Sequence, residues 1–376
     1  MSIRETAITR RGALALGAGA AVIGGLGLSG TAQAVPDGRQ VKLTLAQRAA
    51  QRVIFSYPGA TPPASLLDQI SAGEAGGVIF FGENITSLSQ IAAVIAQLNE
   101  AHQESPVRSP LLLMTDQEGG IVRRLPGAPV LSEKQIGESA DPSAQASDAG
   151  TGAGENLAGV GINLNLAPVL DVYRQAGNFD DEFGRSYSMN PKVCAKCGAA
   201  FTTAQQKLDI AATAKHFPGL GAATVNQNTD LGPVTLDVPL ADLRSIDERP
   251  FRSAIAAGVR LVMTSWAVYP ALDPKLPSGL SPTIIGGELR RRLKFRGVTI
   301  TDALEAGAIA SFGTPAQCGV LAARAGMDVL LCSARDVSEG QDTVTALADA
   351  LRQHALDPGQ FEFALRRVLA LRDSLA

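Results

Sequence analysis

The sequence predicts an α/β fold, a single closed (β/α)8 barrel of the TIM type. Short apolar, β-rich runs alternate with longer amphipathic runs, and eight such units fit within one chain of 376 residues. No G-x-G-x-x-G motif follows the first strand, so an open dinucleotide-binding sheet has little support. The candidate strands are 52–56, 77–81, 111–115, 162–166, 210–215, 260–265, 298–301 and 328–332.

Helix-like stretches lie between these strands, as a parallel sheet covered by helices requires. In the stretch 87–100, Leu88, Ile91, Ile95 and Leu98 recur at helical spacing. Further helices are predicted near 145–158, 192–206, 245–257 and 287–293, and two more, at 339–354 and 358–374, close the chain.

Residues 1–34 have the pattern of an export signal. Arg10 and Arg11 precede a glycine-rich apolar run at 12–30, and Ala32-Gln33-Ala34 follows as a small-residue cleavage site. Paired arginines before a weakly hydrophobic run are typical of the twin-arginine route, whereas a membrane anchor needs a more strongly apolar run. We therefore predict a signal at 1–34, a barrel at 35–376, and an extracellular or cell-wall location.

Charge and cysteine content exclude other classes. The formal net charge of -3 gives no electrostatic basis for binding nucleic acid or anionic lipid. Cys194 and Cys197 form a C-x-x-C without the second pair or the nearby histidines of a zinc site, so a structural role is favoured over redox chemistry. The sequence predicts no metal site, no cofactor and no obligate protein partner.

Polar residues gather at the carboxyl ends of the predicted strands. Those ends form one face of a parallel barrel, and active sites are built on that face. The clustering therefore predicts an enzyme. The residues are Glu83 and Asn84 after the second strand, Asp116, Gln117 and Glu118 after the third, Asp171 after the fourth, Lys215 and His216 after the fifth, Ser265 and Trp266 after the sixth, and Asp302 after the seventh.

Five segments at these strand ends resemble glycoside hydrolase family three, in particular its single-barrel β-N-acetylhexosaminidases. The resemblance implies a retaining exo-β-N-acetylglucosaminidase that removes terminal N-acetylglucosamine from peptidoglycan fragments or related β-glycosides. The segments are GGVIFFGENI at 76–85, LLLMTDQEGGIVRRL at 111–125, GINLNLAPVLDV at 161–172 with FGRSYS at 183–188, AKHFPGLG at 214–221, and the stretch 263–309, which contains T-D-A-L.

In the family, the aspartate matched by Asp302 attacks the anomeric carbon. A retaining glycosidase needs a carboxylate that forms a covalent glycosyl intermediate, and an aspartate directly after a strand is held on rigid backbone. The alternative for Asp302 is a helix N-cap.

The resemblance also implies a sugar clamp of charged residues. Charged groups suit polyol recognition, because hydrogen bonds to ionised groups are the stronger ones. The alternative is an internal ion-pair network at the barrel mouth. The clamp residues are Asp116, Arg124, Arg185, Lys215 and His216, while Glu118 and Asn84 fit the motifs with roles that can be purely structural.

The family pattern breaks in the loop after the fifth strand. The family usually carries an Asp-x-His dyad there, whose histidine is the general acid/base, but Asn226 and Asn228 occupy those positions. A carboxyl group can replace a histidine where burial tunes it towards the working pH. Asp230 is the one carboxylate in the loop, so we predict it as the substitute; the alternative is an Asx turn.

Trp266 is a second departure, since the family often has histidine there. Its ring can stack on a sugar or simply pack the site. Three functions therefore stay open: an active hydrolase that uses Asp230, a sugar-binding pseudoenzyme, and a family-three glycosidase of other specificity such as a β-glucosidase.

Overall fold

The computed structural model describes residues 43–375. Eight parallel strands pair in chain order, and the first also pairs with the last. This closed barrel confirms the predicted (β/α)8 fold and all eight predicted strands; the predicted signal at 1–34 lies outside the described residues. The strands are β1 Val53–Phe55, β2 Gly77–Phe80, β3 Leu112–Thr115, β4 Leu164–Asn165, β5 Ala211–Phe217, β6 Leu261–Thr264, β7 Val298–Ala303 and β8 Val329–Leu331.

Alternation along the strands divides their apolar side chains between two cores. Ile54 and Ile79 belong to the cluster inside the barrel, whereas their neighbours Val53 and Val78 pack between the strands and the helices. Val368 of the last helix joins the interior cluster. The helix therefore closes the barrel at the amino ends of the strands, opposite the face that carries the polar residues.

Several helices begin with a capping side chain followed by proline. Asp141, Asn190 and Asp357 each accept a hydrogen bond from a backbone N–H of the first turn, and Thr314 forms a capping box with Gln317. The α-helices are Leu45–Ala50, Ala64–Ser71, Leu88–Gln103, Glu133–Gly137, Pro142–Ala158, Phe179–Glu182, Pro191–Gln206, Leu240–Asp242, Glu248–Ala256, Pro315–Ala325, Val337–Arg352 and Pro358–Asp373.

Two predicted helices differ from the observed ones in their boundaries, because the turns at these positions are π-helical. The stretch predicted at 245–257 is a π-helical turn, Leu243–Asp247, that continues into Glu248–Ala256. The stretch predicted at 287–293 is a longer π-helix, Thr283–Arg292. A π-helix has wider turns than the 3.6-residue period used to place these boundaries.

The four cysteines are buried and free. Burial raises the pKa of the Cys197 thiol to about 12, which disfavours the thiolate that redox chemistry needs. Both observations agree with a structural role for the C-x-x-C. Within residues 43–375, no helix has the length and apolar composition needed to cross a membrane.

Gly77→Ala is expected to destabilise the barrel, because a Cβ at this position of β2 would lie 2.1 Å from the carbonyl oxygen of Leu112 in β3. Overpacking of this kind typically costs about 1–3 kcal/mol. The measurement is the free energy of unfolding in urea. Gly82→Ala is the matched control, since a Cβ there meets nothing within 4 Å; equal losses in the two variants would contradict the expectation.

Candidate active site

A pocket of about 310 Å³ opens at the carboxyl ends of the strands. Side chains from several separate strand ends line it, as is usual for barrel active sites. The structure thus brings every residue predicted for the site into one cavity. The predicted residues that line it are Asp116, Arg124, Arg185, Lys215, His216, Asp230 and Asp302.

Glu118 is buried beneath this pocket and joins two cations. The guanidinium of Arg185 donates to both carboxylate oxygens of Glu118, each at 2.9 Å, and Lys215 Nζ lies 2.6 Å from Oε1. Lys215 Nζ also donates to Asp116 Oδ1 at 2.7 Å. These ion pairs connect the end of β3 to β5 and to the loop after β4. The Arg185–Glu118 pair has the bidentate geometry that makes arginine–carboxylate contacts strong.

The cluster keeps Glu118 and Lys215 ionised. Burial alone would raise the pKa of Glu118, but Arg185 and Lys215 outweigh burial and hold this pKa at about 2. Burial alone would likewise lower the pKa of Lys215, yet Asp116 and Glu118 raise it above its ordinary value. A sugar hydroxyl that reaches Lys215 therefore meets a fixed charge.

A hairpin directly after β3 positions Arg124 beside Asp116. Its strands are Gln117–Gly119 and Val122–Arg123, and beside it the backbone N–H of Arg124 donates to the carbonyl of Asp116 at 3.2 Å. The Nε of Arg124 is buried and has no hydrogen-bond partner among residues 43–375. Arg124 as a whole is partly exposed and lines the pocket, so it is placed to contact a ligand there.

Asp171 fixes the orientation of the His216 ring. Nδ1 of His216 lies 2.7 Å from Asp171 Oδ2, and Asp171 Oδ1 accepts the backbone N–H of Leu220 at 2.6 Å. Burial alone would lower the pKa of His216, but Asp171 and, more weakly, Asp302 outweigh burial and raise it. With Nδ1 engaged, Nε2 is the ring nitrogen left for the pocket.

Asp302 is the penultimate residue of β7 and is partly exposed to the pocket. Its Oδ1 accepts the backbone N–H of Ala303 at 2.8 Å. Burial raises the pKa of Asp302, the charge on His216 partly offsets this, and Asp230 raises the pKa further. The carboxyl is therefore accessible to a ligand and has a cation nearby that favours its ionised form.

Trp266 packs the site and does not line the pocket. Its side chain is 1% exposed, and Nε1 donates to the carbonyl of Ala303 at 2.7 Å. A Cβ at Gly279 would lie 2.4 Å from the indole, so glycine is needed where the ring is seated. Trp266 thus fixes the backbone beside Asp302.

Asp230 lies at the rim of the pocket, where it is exposed. The burial that the predicted acid role assumed is therefore not found. The backbone N–H of Asp230 donates to Asn228 Oδ1 at 2.8 Å, so the Asx turn is formed as well. The turn and the placement at the pocket coexist, because the turn uses the backbone of Asp230 and leaves its side chain free. Asn226 is exposed in the same loop.

Residues 45–371 match the glycosyl hydrolase family 3 N-terminal domain. The chain belongs to glycosyl hydrolase family 3. An uncharacterised secreted glycosyl hydrolase of Arthroderma benhamiae is 47% identical over 89% of this chain and 95% of its own length. The β-N-acetylglucosaminidase of Paenibacillus sp. FPU-7 superposes with a TM-score of 0.83 at 33% identity, over 89% of this chain and 63% of that one. The β-N-acetylhexosaminidase of Beutenbergia cavernae gives 0.80 at 35% identity, over 88% and 99%.

The hydrolase also holds a buried carboxyl that the sequence did not point out. Asp180 is 1% exposed, and neither of its oxygens has a hydrogen-bond partner among residues 43–375. Burial and then Asp171 raise the pKa of Asp180 to about 7. Asp171, Asp180 and His216 are the one group in the described part of the chain whose ligand atoms, within 4.8 Å of one another, could hold a metal ion.

Asp171 and Asp180 lie in the connection after β4, Asp180 within the helix Phe179–Glu182, whereas His216 lies in β5. No sequence spacing could therefore have indicated that the three residues meet. Asp171 already accepts hydrogen bonds from His216 and Leu220, which accounts for its burial without an ion.

Glu305 lines the pocket of the hydrolase but was not pointed out by the sequence, although it directly follows the T-D-A-L motif. It accepts a hydrogen bond from Ser333 Oγ at 2.7 Å. Burial and then Glu305 raise the pKa of the neighbouring Glu339 to about 8. At the same rim, Arg335 pairs with Glu83 at 3.0 Å.

Asp180→Asn is expected to flatten the pH dependence of stability. The folded-state pKa of Asp180, about 7, exceeds its ordinary value of 3.8, so between these values only the folded protein holds the proton. Wild-type stability should therefore fall as pH rises through this window, by roughly 2–4 kcal/mol relative to Asp180→Asn. Urea unfolding between pH 4 and pH 8 measures this, with the exposed Asp209→Asn as control. Parallel profiles for wild type and Asp180→Asn would contradict the assignment.

Proposed function

We propose that this family 3 hydrolase is a retaining exo-β-N-acetylglucosaminidase that releases terminal N-acetylglucosamine from peptidoglycan fragments or related β-glycosides. The proposal rests on one observation: Asp302, accessible at the end of β7, shares a single pocket with a set of fixed charges. Support comes from the Paenibacillus and Beutenbergia enzymes, which are named as a β-N-acetylglucosaminidase and a β-N-acetylhexosaminidase and are 33% and 35% identical to the chain.

Asp302 acts as the nucleophile in this proposal. Its carboxylate attacks the anomeric carbon as the glycosidic oxygen leaves, and water then hydrolyses the covalent glycosyl–enzyme intermediate. Burial raises the pKa of Asp302 above its ordinary value, and the positive charges of His216 and Lys215 oppose this rise and favour the ionised carboxylate that the attack requires. The hydrogen bonds at Ala303 hold the strand end that carries this side chain.

Asp230 acts as the general acid and base. It protonates the leaving oxygen in the first step and removes a proton from water in the second. Asp230 borders the same pocket as Asp302, and its side chain is free of the Asx turn. A saccharide that filled the pocket would cover this carboxyl and exclude water from it.

The clamp residues bind the hydroxyls of the terminal sugar. Asp116 offers an acceptor, while Lys215 and the guanidinium of Arg124 offer donors. A volume of about 310 Å³ lies near the lower end of ligand-pocket volumes, roughly 300–1,000 Å³. A small pocket with a closed charged floor favours cleavage at a chain end.

Export is part of the proposal. The pattern at 1–34 is that of a signal for export, with paired arginines that favour the twin-arginine route. The Arthroderma relative is named as secreted. An extracellular or wall-associated location would place the enzyme where peptidoglycan fragments occur.

Asp302→Ala is expected to lower kcat/KM for an activated aryl N-acetyl-β-glucosaminide by more than about a thousandfold, because no other group would form the intermediate. Asp209→Ala, at an exposed site, should leave the rate unchanged. If wild type and Asp302→Ala are equally inert yet both bind N-acetylglucosamine in calorimetry, the protein is a sugar-binding pseudoenzyme. Preference for aryl β-glucosides would indicate a β-glucosidase.

Asp230→Ala is expected to slow substrates with poor leaving groups by about a hundredfold or more, because general acid catalysis typically contributes 10²–10⁴. Substrates with activated leaving groups need little protonation, so their kcat/KM should change little. The measurement is kcat/KM across a series of aryl N-acetyl-β-glucosaminides. Equal slowing across the series would rule out the acid role.

A further inference from the structure

We propose that Asn228 and Gly307 are positioning residues, which hold the backbone of Asp230 so that its carboxyl reaches the pocket that Asp302 also lines. This inference rests on the proposed acid/base role of Asp230 and adds how that group is held. It concerns two loops, the one after β5 that carries Asp230 and the one after β7 that carries Gly307.

Asn228 fixes the backbone of Asp230 from within its own loop. Its side-chain Oδ1 accepts the N–H of Asp230 at 2.8 Å, and its carbonyl accepts the N–H groups of Leu231 and Gly232, each at 3.2 Å. An Asx turn of this kind restricts the backbone on both sides of the residue that it encloses. The amide at position 228 cannot transfer a proton, but it can orient the neighbouring carboxylate that can.

Gly307 joins this turn to the loop after β7. Its N–H donates to the carbonyl of Asp230 at 2.9 Å, and the N–H of Ala308 donates to the carbonyl of Thr229 at 3.0 Å. Thr229 is buried between the two loops, at 3% exposed. Because β7 ends just before this loop, the two hydrogen bonds link the backbone that carries the Asp230 side chain to the strand that carries Asp302.

Close approach of the two backbones explains the glycine at position 307. A Cβ there would lie 2.5 Å from the carbonyl oxygen of Leu231 and 3.0 Å from that of Asp230. Both contacts are with backbone atoms, which cannot rotate away as a flexible side chain can. Any other residue at position 307 would therefore displace the segment that carries Asp230.

Such a displacement matters because proton transfer tolerates little error in position. A general acid must lie within about 2.6–3.2 Å of the oxygen that it protonates. A misplacement of about 1 Å can cost on the order of a hundredfold in rate.

The test compares Gly307→Ala and Asn228→Ala with wild type on two aryl N-acetyl-β-glucosaminides, one with a poor and one with an activated leaving group. Each variant should lose on the order of tenfold to a hundredfold in kcat/KM on the poor leaving group, and less than about twofold on the activated one. Gly232→Ala is the matched control in the same loop, since a Cβ there meets nothing within 4 Å, and it should match wild type on both.

A double variant separates positioning from a general effect on the fold. In the Asp230→Ala background, Gly307→Ala should cause no further loss, because it acts only through the side chain that has been removed. Asn228→Ser keeps an oxygen acceptor and should recover part of the rate lost in Asn228→Ala. If Gly307→Ala does not fold, as judged by thermal unfolding, the two Asn228 variants carry the same test.

The outcomes distinguish the inference from the proposed function. Equal slowing of both leaving groups, or additive losses in the double variant, would overturn the positioning inference and leave the acid role of Asp230 intact. No dependence on the leaving group in Asp230→Ala itself would remove the acid role, and the inference with it.

Discussion

The buried carboxylate of Glu118, neutralised by two cations, is the interaction around which the site is organised. Arg185 and Lys215 reach it from the loop after β4 and from β5, and Asp116 shares the lysine. A buried charge is tolerated only while its partners stay in place, and removal of either cation would leave an uncompensated charge in the interior. The same contacts that stabilise Glu118 therefore fix the positions of three residues that face the ligand.

Three side chains at the barrel mouth, those of His216, Asp302 and Asp230, are each positioned by a neighbouring group. Asp171 holds His216 by one ring nitrogen, and the N–H of Ala303 meets the carboxyl of Asp302. Asn228 performs the same task for the backbone of Asp230. Preorganisation of this kind lowers the cost of reaching a reactive geometry, because the groups need not be ordered by the substrate. The closed barrel supplies the common frame, since all of these residues lie at one end of it.

Alternation of short apolar runs with helical runs was sufficient to predict the barrel and all of its strands, because buried parallel strands are nearly continuous in apolar residues. The polar strand ends, with the family resemblance, predicted which residues would line the pocket. Helices such as Ala64–Ser71 and Pro315–Ala325 were not predicted, since the first is short and the second is rich in small residues. Asp180 and the contact at Gly307 depend on which loops meet in space, and no local pattern encodes that.

The position of Trp266 gives the protein an intrinsic optical reporter. It is the single tryptophan of the chain, and its indole N–H is bonded to the carbonyl of Ala303, next to the proposed nucleophile. Fluorescence of the whole protein on excitation of indole therefore arises from one buried environment at the end of β7. A shift in that emission on saccharide binding, or during turnover, would report movement of the catalytic strand without any attached label.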